Sequence, residues 1–329
     1  MDSSFDSQQI QYFYFVSNQL DRYLSVVIFV FGLIGNIFNC LIFTQKTFRS
    51  NSCAFLFLIS SINSLTSLLF GLTTRFLSGW SIDPTSTIDW LCKGRTSIVF
   101  MSRNMALWTI MLASIDRWLS SSVEFHRRQI SNMKNAKISV ALVGCLSILT
   151  YIHMLYCYDA NQSDEPLQCY GKTWMCNLIT DIVYLLVTIT IPLVFMIIFG
   201  LLTIFNVRRS QSRVQVFREV SRNTVSHLSQ FKSKKTDRHL TRMLVMQIIL
   251  LTIFCVPQGA QKFYLTINAN ALNSSFQKAL NHLIYNIEIL FTYTANVIPF
   301  YIYILASEGV FRKSFMELIS RTFRRSSRS

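Results

Sequence analysis

Charge is scarce in this chain. Only 14% of its 329 residues are Asp, Glu, Lys or Arg, against about 25% in soluble domains. Glycine and proline are also few, at 10 and 5 residues. The 5 histidines are scattered, and no Cys-x-x-Cys pair occurs. Gly-rich phosphate loops and metal clusters are therefore poor readings. No catalytic residue, metal or cofactor is expected. What is abundant is apolar: 51% of the chain is hydrophobic, and Phe alone supplies 27 residues. A soluble fold could not hide that surface behind so little charge, so the solvent is lipid.

Seven long apolar segments can be marked out, at Arg22–Phe43, Cys53–Thr74, Ile98–Leu119, Ile138–Cys157, Ile179–Phe205, Met243–Leu265 and Leu283–Ile304. Each has about 20 residues or more, which at about 1.5 Å per residue crosses a hydrocarbon core of about 30 Å. Backbone groups in lipid must pair internally, so these spans are helices. The expected fold is an all-α membrane protein, a seven-transmembrane helix bundle with a short amphipathic cytoplasmic helix. Its divisions are an extracellular N-terminus (1–21), a membrane domain (22–305) and a cytoplasmic helix and tail (306–329).

Orientation follows from the basic residues. The connections after spans one, three, five and seven hold 23 of the 31 Lys and Arg. Positive charge stays inside, which puts the N-terminus outside. Two Asn-x-Ser sequons, at Asn161 and Asn273, then fall outside, where glycosylation requires them. The net charge of +15 faces anionic lipid rather than nucleic acid. Four cysteines, Cys92, Cys157, Cys169 and Cys176, lie at the outer face, where oxidation is allowed. A bridge from Cys92 to the loop after span four would clamp that loop over the bundle. Cys169 is the expected partner because it sits mid-loop. Cys157 and Cys176, which border spans, stay open as alternatives.

Several short motifs then fall in order along the spans. Gly35-Asn36 lies in span one, and Asp116-Arg117-Trp118 ends span three. Pro192 marks span five. Phe254-Cys255-Val256-Pro257 lies in span six, and Pro299-Phe300-Tyr301-Ile302-Tyr303 ends span seven. Together they resemble the rhodopsin-type (class A) G-protein-coupled receptors over about residues 22–320. The end of span five, Phe199 to Arg209, looks like that of invertebrate neuropeptide receptors. There are departures. Asn63 stands where the family has an Asp, Ala106 where a Ser is common, Cys255 where a Trp toggle is usual, and Pro299-Phe300 where Asn-Pro is usual. Sodium regulation is not expected, because a hard cation loses its main carboxylate.

The resemblance implies a plasma-membrane receptor with an extracellular ligand and a heterotrimeric G protein as partners. Arrestin, a receptor kinase and membrane lipids are further expected partners. Its switch residues would be Asp116, Arg117, Trp118, Pro257, Tyr303, Asn36 and Asn63. Asp237 lies 20 residues before Pro257, about 30 Å towards the cytoplasm, level with Arg117, so an ion pair between the two is expected. Asn36 and Asn63, polar groups in lipid, need partners and would bridge spans one, two and seven.

Counting turns along span three gives the pocket. Val99 stands where amine receptors carry an Asp, so a monoamine ligand is not expected. Arg103 lies about 21 Å outward of Arg117 and should face a polar cavity, with Glu288 or a ligand carboxylate as partner. Arg95, Gln258, Gln261, Lys262 and Tyr285 stand around the mouth. Mixed charge there suits a short peptide. Two alternatives remain: a ligand-binding receptor with weak or no G-protein coupling, and a seven-helix transporter.

Overall fold

The computed structural model describes residues 2–122, 124–161, 168–220, 228–268, 274–306 and 310–326, and for residues 2–6, 209–220, 228–240, 306, 310 and 321–326 the backbone alone. Among these, seven helices are long and apolar enough to cross a membrane: Ser7–Phe43, Ser52–Gly79, Asp89–Ser121, Met133–Cys157, Trp174–Arg208, Thr241–Ile267 and Ser275–Leu305. They are called spans one to seven below. All seven expected spans are present, and each observed helix is longer than its apolar stretch.

Span three is the axis. In its apolar stretch 61% of residues are buried, against 22% for span four. Span four accordingly turns large side chains such as Leu142, Leu146 and Leu149 outward, as a helix facing lipid should. Span three carries the small or polar residues Ser102, Ala106, Thr109, Ala113 and Ser114, all buried, which let neighbouring helices approach closely. A buried network ties it to its neighbours. Asn104 donates to Ser147 of span four at 2.7 Å, and Thr188 of span five donates to Asn104 at 3.0 Å.

Residues 2–21, set apart above as the N-terminal segment, are helical and run into span one. Phe13, Ser17 and Asp21 recur every fourth residue and so share a face. That face packs on span seven. Phe13 lies 5.5 Å from Phe276 between ring centres, and Asn286 donates to Ser17 Oγ and to Asp21 Oδ2, each at 2.8 Å. Polar Ser17 and Asp21 depress the hydropathy here, although the helix is continuous.

The backbone is not uniformly α-helical. A single turn of π-helix occurs at Leu20–Leu24, Leu68–Leu72 and Tyr184–Thr190. Pro257 and Pro299 both lie inside helices. Beyond the inner ends, spans five and six continue as helices over Ile191–Val220 and Leu228–Ile267. After span seven, Val310–Ser326 forms a helix. Its expected apolar face packs on the bundle: Phe311 is buried, and Phe315 meets Phe38 edge-on at 5.2 Å.

Cys92 and Cys169 are joined, so the mid-loop cysteine is the partner. The two alternatives pair instead with each other: Cys157, at the end of span four, is joined to Cys176 in the first helical turn of span five. Between the bridges, Tyr158–Asp159 and Tyr170–Gly171 form a short antiparallel pair. Alkylation of the unreduced protein is therefore expected to label none of these four thiols. Proteolysis should yield a Cys157/Cys176 peptide pair that separates only on reduction. A Cys157 labelled without reductant would show that the second bridge does not form.

Candidate functional site

Two cavities lie at the end of the bundle that holds the disulfides. The deeper is narrow and encloses little free space. Span three supplies Val99 and Arg103, span six Gln258, and span seven Tyr285 and Tyr293, under Tyr170 of the paired strands. The outer one, about 960 Å³, is more polar and includes Asp21, Asp83 and His282. Arg75, Arg95 and Cys169 belong to the walls of both.

Arg103 does face a cavity, but the expected pair with Glu288 does not form. Its Nη1 donates to Gln258 Oε1 at 3.4 Å, and its guanidinium lies 4.3 Å over the Tyr293 ring. Gln258 Oε1 also accepts from Tyr184 at 2.8 Å. Glu288 lines neither cavity, and its Oε2 is buried without a hydrogen-bond partner. The cause is helical phase. Tyr285, Ile289 and Tyr293 recur every four residues on the cavity face, and Glu288 lies about 100° round from Ile289.

Lys262 and Gln261 are also not cavity walls. Lys262 is 1% exposed and forms an ion pair with Asp181 of span five, which Thr266 also reaches by its hydroxyl. Gln261 donates to Asn281 at 3.4 Å. Asp181 was not among the expected residues, although its position within a span is a signal that could have found it. An acid within a span is costly unless paired, the same rule that singles out Arg103. Outside the spans, burial pushes the Tyr158 phenol up to about 12 and that of Tyr170 well above its ordinary value. Both phenols therefore stay neutral beside Lys262, whose ammonium lies 5.3 Å from the Tyr170 ring centre.

At the opposite end of span three, Asp116 and Arg117 are both buried. Arg117 donates to Asp116 Oδ2 at 2.9 Å and to Asn51 Oδ1 at 3.4 Å. Ser52 and Ser131 each donate to Asp116 Oδ1 at 2.7 Å. One carboxylate thus holds span two, span three and the connection to span four. Three polar partners here, Asn51, Ser52 and Ser131, carry no signal in the sequence beyond being small and polar. The Asp237 side chain lies outside the described residues, as does Asn273. Asn161 is exposed. Trp118 packs on Phe199 of span five with ring centres 5.1 Å apart.

The remaining polar positions link spans less evenly than expected. Asn36 donates to the Asn296 carbonyl of span seven at 3.0 Å, whereas Asn63 donates to Ile59 in its own helix at 2.9 Å. The Tyr303 hydroxyl donates to Gln247, joining spans seven and six. Near Pro257, Thr292 of span seven donates to the Phe254 carbonyl at 3.2 Å.

Comparison with known proteins gives one family, described as the 7 transmembrane receptor (rhodopsin family), matching residues 35–303. Among curated relatives, the Neuromedin U receptor homolog nmur-2 of Caenorhabditis elegans is 20% identical over 162 residues, 49% of this chain and 40% of that protein. The Pyrokinin-1 receptor of Drosophila melanogaster is 24% identical over 126 residues, 38% of this chain and 29% of that protein. Those two matches therefore span less than half of either relative. The Galanin receptor 2a of Danio rerio is 22% identical over 326 residues, 97% of this chain and 84% of that receptor.

Proposed function

The chain belongs to the rhodopsin family of seven-transmembrane receptors, and from that membership we propose that it binds a short extracellular peptide and activates a heterotrimeric G protein. It is a receptor and not an enzyme. The observation that carries the reading is the division of labour along span three. Its outer part walls a cavity through Val99 and Arg103, and its inner end holds the buried Asp116–Arg117 pair. The most buried helix of the bundle thus joins a cavity lined by arginines to a charged inner end.

In this reading the cavity end faces outwards at the plasma membrane, and residues 22–305 are the receptor domain. Asn161 and Asn273 carry glycans. The helix Val310–Ser326 lies along the inner leaflet, where its basic residues meet lipid headgroups. Arrestin and a receptor kinase act on the same inner face. A peptide that prefers the arrangement with span six swung out shifts the receptor towards it, by as much as its affinity differs between the two states. Pro257, which breaks the helical hydrogen-bond ladder, is the pivot. The Tyr303–Gln247 link and the contacts of Arg117, with Asp237 level with it, are remade as the inner end opens.

The peptide assignment draws on the relatives, named for neuromedin U, pyrokinin and galanin. Peptides of those three kinds, applied to cells expressing this chain, are expected to include one that triggers nucleotide exchange. Tyr285→Ala, which opens the cavity wall, should then weaken its potency about tenfold or more at equal surface display. Unchanged potency would place the ligand elsewhere.

A further inference from the structure

The wall of the deep cavity is cationic. Arg75, Arg95 and Arg103 all reach it, and among the described residues no Asp or Glu lines it. Arg75 and Arg103 are each only 5% exposed. Their guanidinium donors are not used up: Arg75 Nε, Arg103 Nε and Arg103 Nη2 are buried without a hydrogen-bond partner. Arg95 is held by long contacts to the Phe70 and Gly71 carbonyls, at 3.4 and 3.5 Å. The acids nearby stand outside the cavity wall: Asp181 holds Lys262, Asp21 accepts from Asn286 and attracts Arg75, and Asp83 attracts Arg95, but none of the three reaches the cavity itself.

Buried donors left unsatisfied are costly, more so when charged. Arginine forks match carboxylates in a planar, bidentate geometry. The neutral walls around the cluster, Gln258, Tyr170 and Tyr293, add hydroxyl and amide groups but no negative charge. The vacant donors belong to Arg75 and Arg103, and all three arginines line one space.

We propose that the deep cavity is a carboxylate site, and that the ligand enters it with a free C-terminal carboxylate seated between Arg75, Arg95 and Arg103. The inference rests on the peptide-receptor reading above and refines it: an amidated peptide end offers no charge to these arginines. The outer chamber, which shares Arg75 and Arg95 with the deep cavity and adds Asp21 and Asp83, receives the residues that precede the terminus. Carboxylate is the shared chemistry of a peptide end and of a small dicarboxylic acid, and the test separates them.

The test uses the purified full chain in detergent and its thermal unfolding midpoint. The probes are N-acetyl dipeptides covering every last residue, each made as the free acid and as the amide, together with glutarate. Free acids are expected to raise the midpoint and their amides to leave it unchanged, since a ligand bound to the native state alone stabilises it. Arg103→Gln should weaken the free-acid effect about tenfold or more. Arg95→Gln, at a partly exposed position that tolerates replacement more readily, should act in the same direction. If amides stabilise as well as acids, the peptide reading stands and the carboxylate inference falls. If glutarate alone stabilises, the carboxylate site stands and the peptide reading falls. No shift with any probe, or a shift untouched in both variants, overturns the site.

Discussion

Arg117→Ala is expected to abolish agonist-driven nucleotide exchange while the receptor still folds and reaches the surface. The fold should tolerate it because of the way Asp116 is held. Removing the guanidinium deprives the carboxylate of one donor at 2.9 Å, but Ser52 and Ser131 continue to donate at 2.7 Å each. The loss is therefore near that of a charged hydrogen bond, about 1.5–3 kcal/mol, rather than that of stranding a buried ion. Function has no such reserve, because the inner end of span three would lose the cation that the opened bundle presents to its partner. The measurement is G-protein activation at matched surface display, with ligand binding as the control. Full signalling from Arg117→Ala would sink the role assigned to this residue.

The second large effect is expected at the Lys262–Asp181 pair. Both side chains are almost completely buried, and Thr266 also donates to the same carboxylate. Lys262→Met leaves Asp181 with its charge and only a hydroxyl. Asp181→Leu leaves an ammonium among the aromatic rings of Phe100 and Tyr170. Each single change should cost about 3–5 kcal/mol, whereas replacing both ions by apolar groups is commonly neutral or better. The expected result is a double variant more stable than either single one, read from thermal unfolding in detergent. Singles as mild as the double would mean that the pair is not desolvated as its burial implies. Because the pair ties the outer ends of spans five and six, the double variant should also show more agonist-independent signalling.

The bundle was legible in the chain because lipid imposes a simple rule: about 20 apolar residues make a span. All seven emerged, along with the Cys92–Cys169 bridge and the helix that follows span seven. The errors arose where polar residues are satisfied by tertiary contacts. The expected start of span one, Arg22, lies well inside the helix because the polar Ser17 and Asp21 before it both accept from Asn286 of span seven. Lys262 read as a mouth residue because its partner lies 81 positions earlier in the chain. Glu288 was one of two candidate partners for Arg103, the other being a ligand carboxylate, and it is the one that the structure does not bring to Arg103. Depth along a helix is read from residue number, but facing depends on phase, and one position is about 100°.

The π turns make phase harder still. An i to i+5 turn takes in one residue more than the α-helix does, so everything beyond it is rotated by about one residue relative to a straight helix. Three charged side chains that are buried at the cavity end adjoin these turns. Asp21 lies within Leu20–Leu24, Arg75 follows Leu68–Leu72 by three residues, and Asp181 precedes Tyr184–Thr190 by three. The consequence is evolutionary bookkeeping. In a relative whose second helix is straight, the residue occupying the place of Arg75 has a neighbouring index, and an alignment run without a gap through Leu68–Leu72 pairs it with the wrong amino acid. A single-residue indel placed in that turn is the homology that the backbone dictates.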